Sequence, residues 1–193
     1  MAISATQVKE LREFTGAGIM ECKRALEETG GDVTQAVAVL RQQGLAKAEK
    51  KSGRAALQGL VEPYIHAGGR IGALVEVNCE TDFVARTPDF RTLAHDIAMQ
   101  VAATPDTRYV SEDQVPAEAW TKLEADHGSR ADALKAVSLL DQVFIKDGRR
   151  TIRDLVKENI ARVGENIVVR RFARFELGAD LPEAAGDGRQ ASA

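Results

Sequence analysis

The side chains best suited to chemistry in this chain are three histidines and two cysteines. His66, His95 and His127 are scattered, and none lies at metal-ligand spacing from another histidine or cysteine, so we interpret them as polar or core residues. Cys22 and Cys79 are far apart, and neither has a base beside it in the sequence. The sequence therefore predicts no enzyme, no metal site and no cofactor. An enzyme that uses Cys79 or His66 stays an alternative, and it requires an activated nucleophile.

The glycines Gly68, Gly69 and Gly72 do not form a phosphate-binding loop. No P-loop lysine accompanies them, and the pattern around them is that of two strands rather than of a strand followed by a helix. We interpret them as the turn of a β-hairpin, where glycine supplies the positive φ that the turn requires.

One short segment, Thr81–Arg86, is unusual because it places an aromatic residue at a corner between a strand and a helix. A buried strand pattern ends at Cys79, and Phe83 follows the acidic Asp82. In one interpretation, which spacing alone favours, Phe83 packs under the helix and Thr81 is the N-cap. In the other, Phe83 is an exposed anchor for a partner protein, and Asp82 bonds polar groups around it.

Composition and charge narrow the class of protein. The chain has 193 residues, of which 44% are hydrophobic and 28% charged, as in soluble globular proteins. No apolar run approaches the ~20 residues that span a bilayer, and the start lacks a secretory signal, so we expect a cytoplasmic protein without membrane contact. The net charge of −3 argues against a dedicated nucleic-acid binder. An RNA- or ribosome-binding protein stays an alternative, because residues 146–174 hold nine basic and four acidic side chains.

Residues 1–45 are predicted to form three short helices. Ser4 and Gln7 form a capping box, Gly16 ends the first helix, and Asp32 caps the third, which is expected to stop at Gly44. The apolar residues that recur at helical spacing are Val8 and Leu11, then Ile19, Cys22 and Leu26, then Val33, Ala36, Val37 and Leu40. Residues 46–59 are predicted to be a basic connecting helix or linker whose lysines and Arg54 face solvent.

Residues 60–178 are predicted to form an antiparallel α+β core. A hairpin of Leu60–His66 and Ile71–Asn78 comes first, with Pro63 placing its first strand at a sheet edge. The later elements are a long helix from about Phe90 to Thr104, a broken helix over Val115–Lys135, a helix over Ile152–Val163 and a strand over Ile167–Leu177. Alternation along that strand predicts Val169, Arg171, Ala173 and Phe175 on one face and Arg170, Phe172 and Arg174 on the other. Residues 179–193 are predicted to be a disordered tail.

Three motifs, in order along the chain, resemble those of the bacterial elongation factor Ts family. The first comprises Leu11-Arg12, Thr15-Gly16-Ala17-Gly18 and Cys22-Lys23-Arg24-Ala25-Leu26. The second is Val77-Asn78-Cys79-Glu80 followed by Thr81-Asp82-Phe83-Val84-Ala85. The third runs from Ile160-Ala161 through Val163-Gly164-Glu165-Asn166-Ile167 to Phe175-Glu176-Leu177-Gly178. Motifs spread over nearly the whole chain make this resemblance specific.

The resemblance implies a ubiquitin-associated-like N-terminal domain, a dimerisation-type core and no enzymatic activity. It implies a guanine-nucleotide exchange factor that binds elongation factor Tu, in its GDP-bound and nucleotide-free states, and promotes release of GDP and Mg²⁺. The residues that match partner contacts of the family are Thr81, Asp82, Phe83 and Val84 in the core, Arg12, Ile19 and Met20 in the N-terminal domain, and Val163 and Gly164 beside the closing motif.

The sequence departs from the family pattern in three places. Phe14 and Ile19 stand where the family more often has Arg and Met, and Phe14 is interpreted as enlarging the core of the N-terminal domain. The interval Pro116–Leu139 is shorter than expected and lacks a helical stretch that many members carry. The length of the chain implies the short form of the family, for which the resemblance implies a homodimer.

Overall fold

The structure, a computed structural model, describes residues 3–179 and confirms the predicted α+β class. Its α-helices are α1 (Ala5–Thr15), α2 (Ile19–Glu28), α3 (Val33–Glu49), α4 (Asp82–Ala85), α5 (Pro88–Ala103), α6 (Trp120–His127), α7 (Arg130–Val137) and α8 (Ile152–Val163). Its strands are β1 (Gln58–Ile65), β2 (Ile71–Cys79), β3 (Val143–Phe144), β4 (Asp147–Thr151) and β5 (Ile167–Glu176). No helix within residues 3–179 is long and apolar enough to cross a membrane. The predicted tail lies outside the described residues, apart from Ala179.

The first three helices begin and end largely at the predicted residues. Ser4 and Gln7 form the capping box of α1, and Gly16 ends that helix with a left-handed φ of 69°. The Asp32 carboxylate accepts a hydrogen bond from the Gln35 amide at the start of α3. A separate small hydrophobic cluster lies between the three helices and consists of Val8, Leu11, Cys22, Ala25, Leu26, Ala36 and Leu40.

The predicted end of the third helix at Gly44 is wrong, because α3 continues to Glu49 and takes up the first part of the expected linker. Gly44 instead lies against α8, where a Cβ atom would come within 3.0 Å of the Ala161 Cβ. The missing side chain therefore allows the two helices to approach closely. The exposed fractions of Val33 and Phe14, 48% and 74%, show that Val33 is not in the buried stripe and that Phe14 does not enlarge the core.

The core contains a three-stranded antiparallel sheet in the order β1-β2-β5. The predicted hairpin is confirmed, with Gly68 and Gly69 at φ of 90° and 69° in its turn. Within residues 3–179, β1 pairs only with β2, so Pro63 lies on an edge strand as predicted. Helices α5 and α8 cover one face of the sheet and enclose the main hydrophobic core.

The predicted face of Val169 on β5 is wrong because a β-bulge interrupts the pairing with β2, whereas the predicted separation of Arg171, Ala173 and Phe175 from Phe172 and Arg174 is confirmed. Val77 pairs with Val169, but the preceding Glu76 pairs with Arg171, so Arg170 is the extra residue. Beyond the bulge the alternation is reversed. Phe172 and Arg174 therefore lie on the helix-covered face together with Val169, whereas Arg171, Ala173 and Phe175 lie on the opposite face.

The segment between α5 and α8 forms a small subdomain. The predicted broken helix is confirmed as two short 3₁₀ turns followed by α6 and α7, which pack around Val115, Leu123, Ala133 and Val137. A buried hydrogen bond from the Gln100 side-chain amide to the Gln142 amide oxygen, 3.1 Å long, ties this subdomain to α5. The subdomain therefore has its own apolar cluster and a polar connection to the core.

Candidate partner-binding site

The corner between β2 and α5 is built by two consecutive N-caps. Thr81 is extended (φ −127°, ψ 155°), and its hydroxyl accepts a hydrogen bond from the Val84 amide at the start of the four-residue helix α4. Thr87 caps α5 in the same way, with Pro88 in the first helical turn. Asp82 and Phe83 are the first two residues of α4, between the two caps.

Phe83 projects from this corner into solvent with an exposed fraction of 78%. Its neighbours hold the corner from the other side, because Ala85 is buried and Val84 packs against the main core. The structure therefore excludes the interpretation of Phe83 as a buried staple, although Thr81 is an N-cap as that interpretation required. An exposed aromatic ring on a well-anchored backbone is the geometry of a protein-binding anchor.

Asp82, which precedes Phe83 in the chain, forms an ion pair with Arg86 four residues further on. Its carboxylate accepts a hydrogen bond from the Arg86 guanidinium at 2.6 Å, and the two side chains are 48% and 71% exposed. An exposed pair of this kind adds little stability, since solvent screens it. The Asp82 carboxylate is thus free to exchange Arg86 for a polar group of a partner.

A second exposed apolar surface lies on the N-terminal helices. Ile19 and Met20 have exposed fractions of 56% and 64% at the start of α2, and Phe14 lies across the connecting turn at the end of α1. Arg12 is also exposed, and its backbone carbonyl accepts a hydrogen bond from the Gly16 amide that ends α1. The helical spacing of Ile19 with Cys22 and Leu26 did not reveal that Ile19 faces solvent.

Arg162, near the end of α8, connects this N-terminal surface to the core. Its side chain packs against Gly16, where an added Cβ atom would come within 2.8 Å of the Arg162 Nε atom. Its guanidinium also lies 3.6 Å from the Asp89 carboxylate at the start of α5. The turn between α1 and α2 is therefore held close to the helix that follows the Phe83 corner.

The predicted residues at the end of α8 have different environments. Val163 is half-buried and packs against the core, whereas Gly164 is exposed and ends the helix with a φ of 80°. The Gly164 carbonyl accepts a hydrogen bond from the Lys51 ammonium at 2.7 Å. The structure thus brings Gly164 next to the connection from α3, which the sequence did not predict.

Sequence reasoning missed the residue that joins the closing motif to the corner. Glu165, directly after Gly164, accepts hydrogen bonds from both the backbone amide and the hydroxyl of Thr81. The two residues are 84 positions apart, so no local pattern could pair them. The only signal was that both belong to motifs of the same family.

Cys79 and His66 lie too far apart to act together. Cys79 pairs with Gln58 at one end of the hairpin, whereas His66 follows Ile65 at the other end and shares a 3.2 Å hydrogen bond with the Tyr64 hydroxyl. Burial, assisted by the nearby Glu165 charge, raises the pKa of the Cys79 thiol to about 11. Because thiolate is the reactive form, Cys79 is a poor nucleophile at neutral pH.

We expect Cys79 to resist thiol reagents in the folded protein. A pKa of about 11 in place of 9.0 leaves about 100-fold less thiolate at pH 8, and full burial blocks access as well. In a Cys22→Ala background, a maleimide should modify the native protein far more slowly than the protein in urea. Rapid stoichiometric labelling of native Cys79 would contradict this and revive the enzyme alternative.

The basic side chains of the segment that suggested an RNA-binding protein all have carboxylates nearby within the chain. Each of its nine basic side chains lies within 4.0 Å of a carboxylate: Lys146 with Asp96, Arg149 and Arg150 with Asp147, Arg153 with Asp141, Lys157 with Glu49, Arg162 with Asp89, Arg170 and Arg171 with Glu76, and Arg174 with Glu176. Phosphate binding needs cations that are free to displace counterions. Carboxylates of the chain therefore compete with phosphate for these cations, which makes the segment a weaker candidate for RNA binding than an isolated basic patch.

The fold defines an α+β protein with two exposed apolar surfaces, one on a small helical module and one on a corner of the core. Comparison with known proteins agrees with this description. The family model described as "Elongation factor TS" matches residues 5–131. The chain belongs to the elongation factor Ts family.

Relatives named elongation factor Ts match over almost the whole chain. The protein of a Synechococcus species is 51% identical over 206 residues, covering 97% of this chain and 80% of the relative. The Picosynechococcus protein is 50% identical, covering 96% and 94%, and the Coprothermobacter proteolyticus protein is 51% identical, covering 92% and 100%. The last two relatives are of similar length to this chain, as expected for the short form.

Proposed function

We propose that this chain is a cytoplasmic guanine-nucleotide exchange factor that binds elongation factor Tu and promotes release of GDP and Mg²⁺ without covalent chemistry. The observation that carries the proposal is the 78% exposure of Phe83 on an anchored corner in a chain of the elongation factor Ts family. The proposed contacts in the core are Thr81, Asp82, Phe83 and Val84, with Val163 and Gly164 near them. Those on the N-terminal module are Arg12, Ile19 and Met20.

The proposed mechanism is mechanical. A P-loop GTPase holds GDP through Mg²⁺ and through backbone amides around the phosphates, and a protein outside the pocket can weaken these contacts only by moving the loops that present them. In the proposal, the Phe83 ring enters the partner near the Mg²⁺ side and separates the elements that hold the ion. Other contacts shift the phosphate loop.

Thermodynamic linkage sets a requirement on this mechanism. If the protein weakens GDP binding by about 100-fold, GDP must weaken binding of the protein by the same factor, a coupling of about 2.7 kcal/mol. The protein therefore binds nucleotide-free elongation factor Tu more tightly than the GDP-bound form. GTP binding then displaces it by the same linkage.

The direct test is release of fluorescent GDP from cognate elongation factor Tu. With a catalytic amount of this protein and an excess of unlabelled nucleotide, release should be faster than the spontaneous rate and should saturate with elongation factor Tu concentration. An unchanged release rate at all concentrations would reject the proposal. The same assay yields a maximal rate and a half-saturation concentration for every variant below.

We expect the N-terminal surface to contribute affinity rather than the release step. In a Met20→Asp variant the exposed side chain places a charge in the proposed apolar contact, so half-saturation should rise by about tenfold while the maximal rate stays the same. Val33→Asp is the matched control, since Val33 is 48% exposed on the same module and is not in the proposed contact. A lower maximal rate at unchanged half-saturation in Met20→Asp would contradict this division.

We also propose that the protein is a homodimer formed through the uncovered face of the sheet. That face carries the exposed apolar side chains of Val61, Ile65, Leu74, Val168 and Phe175, with exposed fractions between 39% and 66%. Contiguous apolar surface on one sheet face is typical of a protein interface.

The charges on this face favour a second copy of the chain over a charged partner. Arg170 and Arg171 both pair with Glu76, at 3.5 and 2.6 Å, and the hydrogen bond from Arg171 lowers the pKa of Glu76. Since Glu76 offsets part of the positive charge of the two arginines, most of the rest of the face is apolar. A two-fold dimer pairs each such patch with itself.

A further inference from the structure

Glu165, in the closing motif, contacts the Phe83 corner through both oxygens of its carboxylate. Glu165 accepts a hydrogen bond from the Thr81 backbone amide at 2.9 Å and one from the Thr81 hydroxyl at 2.6 Å. Each carboxylate oxygen takes one donor, so the contact restricts both the position and the rotation of Thr81. Charge-assisted hydrogen bonds of this kind are the stronger ones in proteins.

The orientation of the corner depends on this contact because α4 is too short to be stable by itself. A helix of four residues is far below the length at which helices are stable alone, so its orientation must come from its cap and its packing. The Thr81 hydroxyl donates to Glu165 and at the same time accepts from the Val84 amide. Asp82 and Phe83 are the first two residues after this cap, so their direction follows that of Thr81.

Asn166, the next residue of the closing motif, also contacts the segment that leads into the corner. The Glu80 carboxylate accepts a hydrogen bond from the Asn166 backbone amide at 2.7 Å. The Asn166 side-chain amide donates to the carbonyl oxygens of Ser52 and Arg54, and Asn166 is only 2% exposed. Residues 165 and 166 therefore join the corner, the end of α8 and the connection from α3 at one point.

From this geometry we infer that Glu165 is a positioning residue for the corner, which holds Asp82 and Phe83 in the orientation that the partner requires. The expected effect on GDP release rests on the proposed function. The expected local effect, a loss of backbone order from Thr81 to Arg86, is independent of that function. Glu165 is half-buried and both of its carboxylate oxygens bind Thr81, so we assign its effect to Thr81 rather than to a contact of its own with the partner.

The variants Glu165→Ala and Glu165→Gln separate positioning from charge. Alanine removes both hydrogen bonds. Glutamine keeps the shape of the side chain, can accept from the Thr81 amide and can donate to the Thr81 hydroxyl, which also serves as an acceptor. We therefore expect glutamine to rescue most of what alanine loses. Glu62→Ala is the matched control, since Glu62 is a half-buried glutamate that pairs with His95 away from the corner.

The first readout is amide hydrogen exchange of the full-length protein alone. In Glu165→Ala the amides of Thr81 and Val84 should exchange at least tenfold faster than in the wild type, while those in the middle of α5 stay protected. Glu165→Gln and Glu62→Ala should stay within about threefold of the wild type at these two amides. Unchanged protection of Thr81 and Val84 in Glu165→Ala overturns the inference.

The second readout is GDP release, analysed as maximal rate and half-saturation. A misdirected Phe83 should lower the maximal rate in Glu165→Ala by about tenfold and change half-saturation less, because the N-terminal contacts remain. If Glu165→Ala unfolds, Glu165→Asp, which keeps the charge but withdraws the carboxylate from Thr81 by one methylene, must show the same direction of both effects. A wild-type maximal rate in a folded Glu165→Ala protein overturns the inference. If the wild-type protein does not promote GDP release, the proposed function is rejected. Faster amide exchange in Glu165→Ala would still support the positioning role of Glu165.

Discussion

Replacing Phe83 by alanine is expected to abolish most GDP release while leaving the folded protein intact. The ring is 78% exposed, so its removal deletes an anchor at the proposed interface and almost no contact of the core. Aromatic anchors of this kind contribute about 2–4 kcal/mol to binding, which corresponds to about a 30- to 1,000-fold loss in catalytic efficiency of release. The melting temperature should stay close to that of the wild type.

Phe90→Ala is the matched control for this prediction. Phe90 lies on α5, seven residues after Phe83, and is fully buried in the main core. Its truncation should cost about 3–5 kcal/mol of unfolding free energy, and any loss of GDP release should follow the loss of folded protein. A Phe83→Ala protein that melts normally and releases GDP at the wild-type rate would eliminate the proposed wedge.

Asp82→Ala tests the polar part of the same corner. Its exposed ion pair with Arg86 contributes at most about 0.5 kcal/mol to stability, so the melting temperature should hardly change. GDP release should fall if the carboxylate bonds a polar group of the partner. Release at the wild-type rate would confine the contact to the Phe83 ring.

Introducing a charge at Phe175 is expected to convert the proposed dimer into monomers. Phe175 is 65% exposed and lies on the uncovered sheet face, across Gly72 from Ile65. An aspartate there would be buried without a partner in a two-fold interface, twice per dimer. We expect the dimer dissociation constant of Phe175→Asp to rise by at least about 100-fold, measured by sedimentation equilibrium.

Phe14→Asp is the control, because Phe14 has a similar exposed fraction, 74%, but lies on α1 away from the sheet. It should leave the dimer unchanged. Both variants should keep the melting temperature of their own subunit fold, since neither side chain is in a core. A wild type that sediments as a monomer at all concentrations would reject the dimer, and a dimeric Phe175→Asp would reject this face.

The elements of the fold were largely predictable because their signals are local. The capping box at Ser4, the stop at Gly16 and the Asp32 cap are contacts within four residues, and the structure has all of them. The hairpin and the stripe of α5 follow from periods of 2 and 3.6 residues, which the sequence displays directly. The family was predictable as well, since its motifs are continuous runs of residues.

The tertiary structure decided which residues face outwards and which elements meet. The periodicity and the caps did not show that Phe83 points into solvent, because the same spacing suits a buried staple. The packing of Val84 and Ala85, together with the position of Thr81, determines the direction. The bulge at Arg170 reversed the faces of β5, since one extra residue changes the alternation of every residue after it.

Gly44 and Glu165 show the same limit of the sequence. A glycine after an apolar stripe predicts a helix end, yet Gly44 lies within α3 and permits the close contact with Ala161 on α8. The sequence around Glu165 indicates only a polar residue in a turn, yet its carboxylate accepts two hydrogen bonds from Thr81, 84 positions away. Both roles depend on a partner that is distant in sequence, and a distant partner becomes visible only when the chain has folded around its core.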